Sequence, residues 1–137
     1  MIKFIWVIIM KLIVCLDDNK GVMFNKRRQS RDRVLIANVI ELYKGEKLYT
    51  NEYSGKLFPE NTIEICENPE MVEDGYCFAE NFTVNEEKVD EIIVYKWNRV
   101  YPADVYFNID LINWSLTETF DFEGSSHEKI TREIYVR

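Results

Sequence analysis

Lys20, Lys26, Arg27, Arg28, Arg31 and Arg33 put six basic side chains into fourteen positions, where a loop runs into the start of a helical pattern. Guanidinium groups at that density, with unpaired helix amides beside them, have the chemistry to hold a phosphate, a nucleotide or an RNA backbone. Together with Asn19 they make segment 19–33 the candidate binding surface. A plainer account is a solvated loop, or one that pairs with the acidic residues further along the chain. Asp17 and Asp18 stand close to Gly21, but their spacing matches no metal-ligand loop. A strand-end turn accounts for them, and no metal is expected.

Other reactive side chains are sparse. Cys15, Cys66 and Cys77 are odd in number, lack paired spacing and sit in apolar or strand-like runs. That pattern fits reduced core thiols of a cytosolic protein. His127 is the sole histidine, far from any of them. Ser125-Ser126-His127-Glu128 holds nucleophile, base and carboxylate types, yet neighbours in one tight turn do not assemble a triad. Tyr95, Trp97, Tyr101, Tyr106, Phe107 and Trp114 are dense enough to line a flat slot or a partner surface. Core and strand-edge packing is the simpler use for them.

The elements that must position these groups follow from hydrophobic pattern. Residues 11–16 (Lys-Leu-Ile-Val-Cys-Leu) form an unalternated run that ends sharply in Asp-Asp-Asn, as a strand buried on both faces does. A polar loop, 17–25, comes next, and in sheets of this class a site lies beyond the carboxyl ends of the strands. Apolar positions 35, 36, 39, 40, 42 and 43 recur at helical spacing. They predict a helix over 31–43, with Ser30 as N-cap, Asp32 in the first turn and Lys44-Gly45 as the stop. Strands are expected at 47–50, 62–66, 76–79, 89–97, 104–108, 114–123 and 129–137. Short helical pieces are expected near 51–58 and 69–73, and the last two strands pair as a closing hairpin across 124–128.

At 137 residues, with 47% hydrophobic and 14% aromatic content, the chain is one folded domain. Its net charge of −7 is divided unevenly: residues 1–56 carry 11 Lys/Arg against 6 Asp/Glu, and residues 57–137 carry 6 against 18. That balance excludes general nucleic-acid binding over the whole surface and leaves a local basic patch. The opening apolar run is short for a membrane span and no small-residue cleavage site follows it. The folded domain is expected to start at Met10, with 1–9 as an upstream extension, no stable membrane insertion and a cytoplasmic location.

In this order the elements resemble a divergent dihydrofolate reductase-like domain. Leu-Ile-Val-Cys-Leu-Asp-Asp-Asn-Lys-Gly-Val, from Leu12, is similar to the first strand and mobile active-site loop of those enzymes. Asn-Thr-Ile-Glu-Ile-Cys-Glu-Asn-Pro, from Asn61, resembles their central N-x-I-x-L-S-x-x-P strand. Asp104 to Trp114, followed by a hairpin ending Ile-Tyr-Val-Arg, resembles the family's D-T-x-F-P-x-I-D…W and its closing strands. The resemblance implies an α/β fold: a single-domain mixed β-sheet with 11–16 central, few helices and a C-terminal β-hairpin.

It also implies site positions, and there the chain departs from the family. Asp32 stands near the place of the acid that serves substrate protonation, without the Pro-Trp that precedes it. Arg31 and Arg33 are expected to lower its pKa, the opposite of what a proton donor needs. Glu80-Asn81 replaces the Gly-Gly that lets amides approach a dinucleotide phosphate, and Glu52 stands where the family's M-G-R-x-T/S has its arginine. Both changes disfavour NADPH, and no cofactor is expected. The reading is a non-catalytic domain that binds a small phosphorylated ligand, or a protein or RNA partner, through Asn19, Lys20, Lys26, Arg27, Arg28 and Arg31, with Glu80 and Asn81 nearby and no DNA partner. Its alternatives are a reductase-like enzyme with altered substrate and weak or lost NADPH dependence, and a structural domain that binds a partner through its aromatic surface. The opening also resembles small bacterial proteins, some described as ribonuclease Z. One histidine cannot supply the H-x-H-x-D-H metal sites that such an activity requires.

Overall fold

The computed structural model describes residues 10–137. The expected 1–9 extension lies outside the described residues. Strand β1 (Met10–Leu16) is the middle of a seven-stranded sheet in the order β5-β4-β6-β1-β7-β10-β9. Around it lie β4 (Leu48–Thr50), β5 (Ile63–Ile65), β6 (Gly75–Phe78), β7 (Val89–Lys96), β9 (Ser115–Phe122) and β10 (Ile130–Val136). β1 runs parallel to both neighbours, Leu12 lying level with Cys77 on one side and Ile92 on the other, while β10 and β9 close the sheet antiparallel.

The unalternated run of β1 is explained by cover on both faces. Ile13 packs with Leu35 and Val39 of α1 (Arg33–Tyr43) and with Phe78, Ile93 and Ile130. Leu12, Val14 and Leu16 point the other way, onto Val84, Ile109 and Trp114 from the connections that cross the second face. Trp97, Tyr95 and Trp114 are buried in these two layers and half-buried Tyr101 and Phe107 pack against them, so most of the aromatic cluster is core. Tyr106, at 54% exposure, is the exception among the six.

Three local expectations are corrected. The helix starts at Arg33 with Asp32 as its N-cap, and Ser30 has another partner. Both residue types cap helices; Asp32 takes the place because its carboxylate also reaches a distant loop. Segment 17–25 is not all loop: Gly21–Phe24 is strand β2, paired with β3 (Arg27–Arg28) and with β8 (Val105–Tyr106) in a second, three-stranded sheet. The turn between β2 and β3 places Asn25 and Lys26 at φ 50° and 62°, the paired left-handed conformation that a two-residue hairpin requires. The 104–108 strand shrinks to the two residues of β8, which serve this small sheet.

Asp17 is a structural turn residue. Its carboxylate accepts the amides of Asn19 (2.9 Å), Gly21 (2.7 Å) and Tyr101 (3.0 Å), which ties the end of β1 to the loop after β7. Short α2 (Glu52–Gly55) falls within the expected 51–58 piece, and the β9–β10 hairpin forms as expected. No helix among the described residues is long and apolar enough to cross a membrane.

Since Leu12 is fully buried in the central strand, Leu12→Ala should cost about 2–5 kcal/mol through the lost transfer energy and the cavity left behind. Urea unfolding reads this as a lower midpoint at an unchanged slope; an unshifted midpoint would contradict the central placement of β1.

Candidate functional site

Beyond the carboxyl end of β1, Asp32 is buried and surrounded by donors. Its Oδ1 accepts the amides of Val34 (2.9 Å), Leu35 (3.1 Å) and Ser125 (3.0 Å). Its Oδ2 accepts the Ser126 amide (2.9 Å), Ser126 Oγ (3.2 Å) and His127 Nδ1 (2.9 Å). One carboxylate thus caps α1 and holds the turn between β9 and β10. Gly124 lets the turn come this close, because a Cβ there would collide with Asp32 Oδ2.

Burial pushes the Asp32 carboxyl toward higher pKa, but the Ser126 and Ser125 amides, His127 and the Leu35 amide outweigh it and hold the group far below the usual carboxylate range. The direction matches the sequence expectation; the cause does not. Arg31 and Arg33 are exposed, and the depression comes from hydrogen-bond donors of the hairpin turn and the helix start.

His127 continues the network. Its ring stacks on Trp97 at a centroid distance of 4.6 Å, and Nε2 lies 2.8 Å from Tyr101 Oη and 3.1 Å from Ser30 Oγ. Asp32, His127 and Ser30 therefore come into line from two distant stretches, where the sequence had offered only the adjacent types of 125–128. The resemblance to a hydrolytic triad ends at the surroundings. Tyr101 competes for Nε2, and the cleft that Ser30 borders holds only about 20 Å³, room for roughly one water.

Glu80 is one reason the cleft is tight. Its side chain is 7% exposed and turned inward, meeting Arg28 in a bidentate pair (2.8 and 3.0 Å) and accepting Ser54 Oγ at 2.7 Å. Arg28 also lies over the Tyr53 ring at 4.4 Å. Burial works against the Arg28 charge, and the hydrogen bond and charge of Glu80 overcome it, so its pKa is raised. Next to this pair Asn51 Nδ2 donates to Asn81 Oδ1 at 2.7 Å, while Asn51 Oδ1 caps α2. Segments 50–54 and 80–81, the two that the resemblance sets on either side of a dinucleotide, are bonded to each other.

The candidate binding residues separate into two groups. Arg28 and Glu80 are engaged with each other, and Asn81, though exposed, is bonded to Asn51. Asn19, Lys20, Lys26, Arg27 and Arg31 are exposed, and none of these four cations has a carboxylate within ion-pair distance among the described residues. The expectation of unpaired helix amides is corrected. Val34 and Leu35 donate to Asp32, Arg33 N donates to Ser125 Oγ at 3.0 Å, and Ile36 N donates to Asp32 O. Burial pushes the thiols of Cys15 and Cys77 well above the ordinary range, so neither is an activated nucleophile. Among the described residues no group of three His, Cys, Asp or Glu side chains is placed to hold a metal ion.

No protein-family model and no curated protein matches the chain. Among solved structures it is similar to a dihydrofolate reductase from Enterococcus faecalis complexed with NADP(H) and RAB-propyl. The TM-score is 0.65 at 11% identity, over 96% of this chain and 97% of that one. At that identity the likeness shows the fold alone, and the fold is dihydrofolate reductase-like.

Two outcomes follow from the Asp32 contacts. Folding lowers the Asp32 pKa, so its contribution is complete above the unfolded value of about 3.9 and is lost as the pH falls below it. Asp32→Asn turns an amide donor toward other donors, at about 1–3 kcal/mol for each one left unsatisfied. The variant should be less stable than the parent at neutral pH, and the gap between them should narrow on acidification below about pH 4; a gap independent of pH would exclude the ionised carboxylate as its source. Gly124→Ala should also destabilise the protein, measured by thermal unfolding, although the residue itself makes no side-chain contact.

Proposed function

We propose that this chain is a non-catalytic domain of the dihydrofolate reductase-like fold that recognises an anionic partner through the exposed cations of 19–33. One observation carries the reading. The groups that the resemblance assigns to substrate and cofactor are engaged with one another: Asp32 with the hairpin turn, Glu80 with Arg28 and Ser54, Asn81 with Asn51.

A reductase needs a slot for a dinucleotide and a proton donor beside the substrate. A carboxylate stands where the resemblance sets the cofactor phosphates, and its nearest cation is already neutralised by it. Asp32 is held as an anion with six donors on its two oxygens, so it serves as an anchor and not as an acid. A small phosphorylated ligand is also poorly served, since the cleft has room for roughly one water and the helix amides are taken. The cations that remain, Lys20, Lys26, Arg27 and Arg31, face solvent and suit a partner that docks on the surface. The rival, a reductase-like enzyme with altered substrate, draws on Asp32 standing beside the cleft and on a structural neighbour solved with NADP(H).

Incubation with NADPH and dihydrofolate should produce no loss of NADPH absorbance, and millimolar NADPH should leave the melting temperature unchanged. Steady consumption of NADPH would overturn the non-catalytic reading in favour of the rival. Independently, retention on immobilised heparin at low salt should be lost in Lys26→Glu/Arg27→Glu; equal retention of both proteins would remove the basic segment as the docking surface.

A further inference from the structure

We infer that the anionic partner is single-stranded RNA, its phosphates held by the cations of 19–33 and its bases stacked on the rings of Phe24 and Tyr106. This rests on the surface-docking reading above and adds the chemistry of the partner. The small sheet β3-β2-β8 is what brings the groups together. Phe24 and Arg27 are directly opposed in the β2–β3 pair, so their side chains share a face. Lys26 occupies the turn between them. Tyr106 pairs with Gly21 on the other side of β2, and the adjacent Phe107 amide donates to Lys20 O at 2.9 Å. Cations thus stand at both ends of β2, with an aromatic ring at each.

Two features point to a nucleic acid strand. Phe24 is 47% exposed and Tyr106 54% exposed, two large rings left in solvent on strands of four and two residues. Second, charge is segregated. Segment 20–33 holds six of the chain's 17 basic residues and one of its 24 acidic ones, and of those six only Arg28 is in an ion pair among the described residues. Flat rings beside unpaired cations are how single strands are bound: phosphates meet the charges and unstacked bases lie on the rings. A duplex hides its base faces within the stack, and an acidic peptide offers the cations a partner but the rings no flat counterpart. The exposed amides of Asn19 and Asn25 flank Lys20 and Lys26 and can hydrogen-bond a ribose 2′-hydroxyl, the group that distinguishes RNA from DNA. The acidic remainder of the surface repels phosphates and confines the strand to this short track.

Fluorescence anisotropy with labelled oligouridylate, oligothymidylate and an RNA duplex tests this on the full chain. Oligouridylate should bind, and about four phosphate contacts predict a slope of roughly −3 for log affinity against log salt. Phe24→Ala and Tyr106→Ala, both at exposed positions, should each weaken binding about five- to one hundred-fold while leaving retention on heparin and the salt slope unchanged. Arg27→Ala should make the slope shallower by about 0.7. Binding of the duplex as tight as the single strand, or indifference to both ring substitutions, would overturn the inference and leave the surface-docking reading standing. Equal affinity for oligothymidylate would overturn the assignment to RNA. An acidic peptide that binds where oligouridylate does not would replace the strand with a protein partner. Loss of heparin retention in the parent protein would instead strike the docking reading itself.

Discussion

The Asp32 carboxylate joins parts of the chain that lie 95 residues apart, and the arrangement of the sheet end depends on it. α1 covers one face of the central strand, and β10 with its hairpin turn extends the same sheet. Their relative position is fixed where the helix start meets the turn. Donors from both elements converge on two oxygens, so the anion satisfies amides of the helix start and of the hairpin turn at once. Hydrogen bonds to an ionised acceptor are stronger than neutral ones, and burial raises the cost of losing any of them. The close approach leaves no room for a side chain at position 124, and stacking of His127 on Trp97 carries the contact into the core.

The same logic closes the cleft on its other side. A lone buried carboxylate at position 80 would be severely penalised, yet Glu80 is matched by the fork of Arg28 and by Ser54. The arginine comes from the β2–β3 hairpin, so the ion pair also fixes that hairpin over the sheet end. Breaking the pair by removing one partner costs more than never having had it, because the other charge stays buried. Any anion entering beside the pair has to displace an internal partner and then face the freed carboxylate.

Legibility in the sequence tracked how local each cause was. β1 was readable because burial on both faces removes alternation from the string itself, and the β9–β10 hairpin because two alternating runs flank a polar turn. The helix was readable in its period but not in its first residue. Ser30 and Asp32 are equal candidates until the loop at 124–128 supplies four further donors to one of them. β2 was hidden within an apparent loop because a four-residue strand has little pattern, and its partners are a two-residue strand on each side, one of them more than eighty residues away. The direction of the Asp32 shift was read correctly from the wrong source, since neighbouring arginines are visible in sequence and backbone amides from a distant turn are not. Of the site, the carboxylate at Glu80 was legible, and its pairing with Arg28 was not.

Fold and site are separable here for a physical reason. The sheet is specified by the apolar residues of β1, β6 and β7 and by the two layers that cover them, none of which must change when polar groups at the strand ends change. Inward-facing acids can therefore stand at the strand ends without disturbing the sheet, provided each finds a donor. Asp32 and Glu80 both do. The basic hairpin contributes one arginine to that internal balance and keeps its remaining cations outside, in a chain whose overall charge is negative. Closure of the cleft and exposure of the cations are thus two consequences of how one short segment distributes its charges.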